Sequence, residues 1–169
     1  MDHSLKKSIW NQFGASIDMI ENAIKACPDK LWNDRSQNPE YWYMVYYTLF
    51  WLDLYLSGSV EGFAPPSPFT LDELDPAGVL PEKPYSKQAL RSYLEHCRDK
   101  CLTTILALDI ENAGRPCRFR WGEVRFTELL FYNMRHVQHH AAQLILILRQ
   151  KIDMAPEWVA FPANKFPEN

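Results

Sequence analysis

Two histidines four residues apart, His136 and His140, are the pair in this 169-residue chain whose type and spacing best suit chemistry. On a helix, side chains at i and i+4 stand one above the other with Cβ atoms about 5–6 Å apart, so both imidazoles can share one metal ion. The surrounding stretch, residues 127–150, reads TELLFYNMRHVQHHAAQLILILRQ. Plotted at about 100° per residue it divides into three lines. Leu130, Met134, Val137, Ala141, Leu144 and Leu148 make the seam that a bundle helix turns to its neighbours. Beside it run Leu129, Asn133, His136, His140, Gln143 and Ile147. Glu128, Arg135, Gln138, His139, Ala142 and Arg149 form a solvated face, with His139 a surface residue. The pair therefore sits on the inward half, among leucine, isoleucine and asparagine, where an unsatisfied imidazole costs free energy. A metal ion would satisfy it; so would a tyrosine hydroxyl, a backbone carbonyl or a buried water.

A helix of this kind needs partners, and the chain is long enough to supply them as one domain over residues 1–169 with a real core. Apolar residues are 47% and aromatic residues 14% of the chain, which excludes a disordered protein. A net charge of −3 offers no basic patch for nucleic acid. No apolar run reaches the roughly 18 residues that span a bilayer, and MDHSLKKSIW lacks a signal-peptide core. The expectation is a cytoplasmic protein without a membrane partner. Cys27, Cys97, Cys101 and Cys117 form no CxxC pair, so they read as reduced thiols.

The first helix is expected over residues 4–26, where Ile9, Phe13, Ile17, Ile20 and Ile24 recur at steps of three and four. Cys27-Pro28 ends it, and LWNDRSQ connects onward with Leu31 and Trp32 packing back on the core. Asn38-Pro39 suits the cap and first position of a second helix, YWYMVYYTLFWLDLYLS, which stops at Gly58. It is apolar nearly all round, as a helix buried inside a bundle or at a subunit contact would be. Tyr43, Tyr47, Phe50, Trp51 and Leu54 share one face. Asp53, its one interior charge, is expected to emerge at the surface or meet an arginine.

Residues 58–85 carry six prolines and three glycines and cannot form a regular helix. Phe63, Phe69, Leu71, Leu74, Val79 and Leu80 make this an ordered loop laid on the bundle. Such a span crosses the roughly 30 Å of a twenty-residue helix, so the helices on either side can run parallel. Ser86 caps a third helix over residues 87–108, with Leu90, Leu94, Cys97, Cys101, Thr104 and Leu108 inward and His96 beside that stripe at the surface. CRFRWGEVRF predicts a short hairpin around Gly122 before Thr127 caps the fourth helix. The tail aromatics, Trp158 and Phe161, are expected to cover one end of the bundle.

Two stretches, the second helix with its loop (YWYMVYYTLFWLDLYLSGSVEGFAPPSPFTLDELDPAGVLPEKPYSKQAL) and WGEVRFTELLFYNMRHVQHHAAQL, resemble the DinB-like superfamily of small four-helix proteins. The resemblance extends over nearly the whole chain, with YNMRHVQHHAAQL its most specific part. It implies an all-α, up-down-down-up four-helix bundle with a long crossover between helices two and three, frequent homodimerisation, and a metal site of three histidines. One of these lies on the second helix; the other two are an HxxxH pair that maps onto His136 and His140. Members with known activity are S-transferases or isomerases using low-molecular-weight thiols such as bacillithiol, mycothiol or glutathione.

This chain departs from the pattern where the second helix usually reads YHTLF, because Tyr47 stands in place of the histidine. A phenol with a reference pKa near 10 must lose its proton to bind a divalent ion well. Three outcomes follow: Tyr47 ligates iron as a phenolate; His136 and His140 hold zinc or nickel loosely with water; or Tyr47 hydrogen-bonds an imidazole and no metal binds. With an ion present, the expected chemistry is thiol transfer to a small electrophile, Tyr47 acting as ligand or proton donor. Asn133 and Gln143 would orient the imidazoles around cofactor and substrate. Without one, the chain is a metal-free, dimeric small-ligand-binding bundle.

Overall fold

A computed structural model describes residues 1–78, 81 and 83–168. Its elements are α1 (His3–Ala26), α2 (Asp29–Trp32), α3 (Tyr41–Ser57), α4 (Lys87–Leu106), α5 (Ile110–Gly114), strands β1 (Pro116–Phe119) and β2 (Gly122–Arg125), and α6 (Phe126–Ile152). A 3-10 turn, Asp72–Leu74, interrupts the long loop. The described residues are all-α apart from one antiparallel hairpin, in which Cys117 pairs with Val124 and Phe119 with Gly122. None of its described helices is long and apolar enough to cross a membrane.

Helix α1 starts where the Asp2 carboxylate accepts Leu5 N–H at 3.2 Å, and its predicted stripe is buried throughout. It packs on α4 and α6, and α3 packs on the same two helices. Along α1 and α4 the contacts run in opposite senses, from Lys6 Nζ on the Leu106 carbonyl (2.7 Å) to Lys87 Nζ on the Cys27 carbonyl (2.5 Å). Along α3 and α4 they advance together: Cys97 Sγ lies 3.6 Å from the Leu49 carbonyl and Lys100 meets Asp53. Along α3 and α6 they oppose again, Tyr47 facing His140 and Tyr55 facing Tyr132. Leu129, Leu144 and Leu148 of α6 are fully buried, each contributing about 1.5–3 kcal/mol of hydrophobic stabilisation.

The apolar circumference of α3 is covered by α4, α6 and the loop, whose Phe63 stands edge-on to Phe50 at 5.5 Å and whose Phe69 stacks on Tyr46 at 5.8 Å. Leu71 is exposed; Val79 and Leu80 lie outside the described residues. Gly58 ends α3 in the left-handed region at φ 76°. That backbone conformation favours glycine, and a Cβ there would also come within 2.6 Å of the Arg115 guanidinium, which would have to shift.

Several local expectations are corrected. Glu40, not Asn38, flanks the start of α3, because the ladder begins with Met44 N–H on the Glu40 carbonyl at 3.0 Å. The Glu40 carboxylate is taken by Trp42 Nε1 and Arg35 instead of the free amides. Thr127 is not a cap: α6 begins one residue earlier, and the Thr127 hydroxyl donates to the Ala113 carbonyl. Trp158 and Phe161 do not cover the bundle, being 71% and 70% exposed. The tail is instead pinned along α1 through Ala163 N–H on Asp18 (2.7 Å) and Trp10 Nε1 on the Asn164 carbonyl (2.7 Å). Pro162 lies over Gly14, and Phe166 is buried.

Asp53 also differs from its expectation. It is fully buried, and its carboxylate takes Lys100 and the Tyr93 hydroxyl (3.1 Å), with His96 Nε2 at 3.4 Å. The charge on α3 thus finds a lysine on α4 where an arginine or open water was expected. The buried arginine is Arg98, which ties Asp18 and Glu21 of α1 to α4.

Candidate functional site

The antiparallel contact of α3 with α6 brings Tyr47 to the two histidines. Its ring centroid lies 5.9 Å from that of His136 and 5.3 Å from that of His140, and the imidazoles are 4.6 Å apart at 76°. Tyr55, about two turns further along α3, stands edge-on to His136 at 6.1 Å and to Tyr132 at 5.3 Å. Tyr132 stacks on Trp121 of the hairpin turn at 4.5 Å. The imidazoles therefore occupy a mostly aromatic seam.

Their hydrogen bonding is unequal. His140 Nδ1 lies 2.8 Å from Gln143 Oε1, which places the ring proton on Nδ1 and leaves the Nε2 lone pair free. Both ring nitrogens of His136 are buried without any partner among the described residues. Burial first, then the neighbouring His140 and His139 charges, hold His136 down at about 3. Burial also lowers His140, partly offset by Gln143. Near pH 7 both rings are neutral, the form that coordinates a metal. Tyr47 is shifted the other way, by burial and then by Glu73 and Tyr132. Its hydroxyl keeps its proton.

Asn133 is fully buried beside this pair but turns to α3, where Nδ2 donates to the Leu52 carbonyl at 3.0 Å. Its Oδ1 has no partner. His139 points away and lines a cavity of about 790 Å³ between α1, α6 and the tail, whose walls include Phe131, Arg135 and Trp158. His96 belongs to the Asp53 cluster.

Glu73 escaped the sequence reading. The 3-10 turn sets it against α3, where Tyr43 donates to its Oε1 at 2.7 Å. Its one sequence signal is the acidic run Asp72, Glu73, Asp75 inside a proline-rich loop. The four cysteines are buried and unpaired, and burial raises all of their thiols, Cys27 to about 12. None is disposed to act as a thiolate nucleophile.

Among the described residues no three histidine, cysteine, aspartate or glutamate side chains converge on a point suited to a cation. The arrangement nevertheless fits an ion in part, because two neutral imidazoles share one face and one of them has both nitrogens unspent. The model of the DinB superfamily matches residues 12–144, which take in α3, the crossover and α6 through Leu144. The chain belongs to the DinB superfamily. No curated protein and no solved structure gives a significant match. In this DinB-superfamily chain the matched segment contains Tyr47, Asn133, His136, His140 and Gln143 together.

Proposed function

We propose that this DinB-superfamily chain is an up-down-down-up bundle that acts, as a cytoplasmic homodimer, as an S-transferase joining a low-molecular-weight thiol to a small electrophile, with zinc or nickel held by His136 and His140. The helix directions support the topology: α1 and α4 oppose, α3 and α4 agree, α3 and α6 oppose. One observation carries the functional reading, namely the two buried, unpartnered nitrogens of His136 beside His140. An ion there would supply a positive charge that favours the thiolate form of a nearby thiol.

The protein's own groups would do the rest. Gln143 holds the His140 ring through Nδ1, which leaves Nε2 free for an ion. Tyr47 holds its proton at Oη, since burial disfavours its phenolate, and as a hydrogen-bond donor it would stabilise the charge gained by the electrophile's leaving group as the carbon–sulfur bond forms and the bond to that group breaks. Tyr55 lies edge-on to His136, and Tyr132 and Trp121 continue the aromatic wall beside it. The thiol has to arrive with a cosubstrate, because the chain's cysteines are buried and their thiols held protonated.

A second reading, a metal-free bundle binding a small ligand without catalysis, is favoured by the missing third ligand and by Tyr47 staying protonated. Conjugation of glutathione or bacillithiol to a chromogenic aryl halide, with zinc present, separates the two. Turnover by the wild type, lowered about 100-fold by Tyr47→Phe and abolished by His140→Ala, is expected. Equal rates in all three would leave only the binding protein. Sedimentation should give about twice the 19.8 kDa chain mass.

A further inference from the structure

The buried Asp18 and Asp53 and the half-buried Glu21 and Glu40 are matched to cations: Asp18 to Arg98, Glu21 to Lys25 and Arg98, Glu40 to Arg35, Asp53 to Lys100. The half-buried Asp34, Asp72 and Glu73 have no such pair among the described residues; Asp34 is held by Ser36 and Gln37, whereas Glu73 meets the aromatic face of α3. It is half-buried against α3, yet among the described residues no lysine, arginine or histidine nitrogen lies within 4.0 Å of it. The groups around it are aromatic. Tyr43 donates to its Oε1, and the same face of α3 continues through Tyr47 and Trp51 at successive steps of four. Their ring centroids are spaced 6.3 and 6.1 Å apart, and none of the three side chains is fully buried. The Trp51 indole N–H is close enough to favour the charged form of Glu73 but makes no hydrogen bond of good geometry. Burial opposes that charge, and Asp72 beside it adds to the negative potential.

A carboxylate without a counter-ion, set beside a ladder of electron-rich rings, is complementary to an organic cation. The ammonium gains the carboxylate's charge and the quadrupole of the ring faces at once, while a neutral group of the same shape gains neither. We infer that Glu73, with Tyr43, Tyr47 and Trp51, forms a subsite for the ammonium group of the small molecule on which this site acts. The position of the wall agrees with this. Tyr47 belongs both to the ladder and to the imidazole seam, 5.3 Å from His140, so a molecule anchored by its ammonium at Glu73 extends its other end toward His136 and His140. The crossover loop, by delivering Glu73, then acts in substrate selection. The inference rests on reading the Tyr47–His136–His140 seam as the substrate site.

Choline and its uncharged isostere 3,3-dimethylbutan-1-ol are matched probes. Isothermal titration of the full chain should show saturable binding of choline and none of the alcohol. Glu73→Gln should weaken choline binding at least about tenfold. In a 15N-labelled sample the Trp51 indole resonance should move with choline and stay still with the alcohol, a readout that does not depend on any variant folding. Equal affinity for the two probes, or an unchanged affinity in Glu73→Gln, would overturn the subsite. Zinc titration of the same samples tells this inference apart from the reading beneath it. Choline binding without zinc binding would remove the ion and keep the ammonium subsite. Loss of zinc binding in Glu73→Gln would make Glu73 an ion ligand and overturn it.

Discussion

His136 and His140 stand ring to ring at 4.6 Å, and while His140 spends one nitrogen on Gln143, His136 spends neither. A buried polar group without a partner costs about 1–3 kcal/mol. In the presence of chelator, His136→Leu should therefore stabilise the protein by about 1 kcal/mol despite imperfect packing. With zinc at about 100 times its dissociation constant the wild type should gain about 2.7 kcal/mol and the variant nothing. Urea unfolding under both conditions measures this. A variant less stable than wild type in chelator would mean that the imidazole is satisfied by something else.

Tyr47 contacts both imidazoles, but burial keeps its phenol protonated. Tyr47→Phe should leave zinc affinity within about twofold. Tyr47→His should raise it by tenfold or more, since a third neutral imidazole completes the usual ligand number. Competition with a zinc-sensitive dye reports both. A large loss in Tyr47→Phe would show the phenol to be a ligand after all.

Periodicity was enough for the skeleton of this site. The steps of three and four in α1, α4 and α6 are apolar stripes that end up in one core, and His136, His140 and Gln143 fall on the side of α6 turned to α3. What could not be read were pairings between elements far apart in the chain. Asp53 looks like a stray charge until α4, 47 residues away, supplies Lys100. Asn133 looks like an imidazole partner until the α3 backbone offers it the Leu52 carbonyl. Glu73 lies in a segment with no period at all, so nothing in its neighbourhood forecasts the face of α3 that it meets. Ser86 and Gly58 cap as expected, but two other caps failed for a related reason: Asn38 and Thr127 have suitable side chains, yet the backbone enters its helix at Tyr41 and Phe126.

Asp53 is fully buried and holds Lys100, Tyr93 and the approach of His96 in one cluster between α3 and α4. Removing one partner of a buried ion pair costs about 3–5 kcal/mol because the other is left uncompensated. Lys100 is 28% exposed and can turn toward water, so Asp53→Ala should cost nearer 3 kcal/mol. Denaturant unfolding checks it. A loss under about 1 kcal/mol would mean the cluster adds little beyond packing.

Burial raises the pKa of Glu21, but Lys25 and Arg98 outweigh it and leave the carboxyl below its ordinary 4.5 in the folded protein. An acid whose folded pKa is depressed contributes stability above its unfolded pKa and loses it as the pH falls through the folded value. Stability should therefore decline from about pH 5 downward, and Glu21→Gln should flatten part of that decline while lowering stability at pH 7. Thermal melts from pH 7 to pH 3 follow it. An identical slope in the variant would remove Glu21 from the acid response.

Zinc titration of protein purified without an affinity tag, comparing wild type with His136→Ala, tests most directly whether the imidazole pair is an ion site. One saturable zinc per chain in the wild type and none in the variant is the expected result. Two flat traces, or the same uptake by both proteins, would contradict an ion held between His136 and His140.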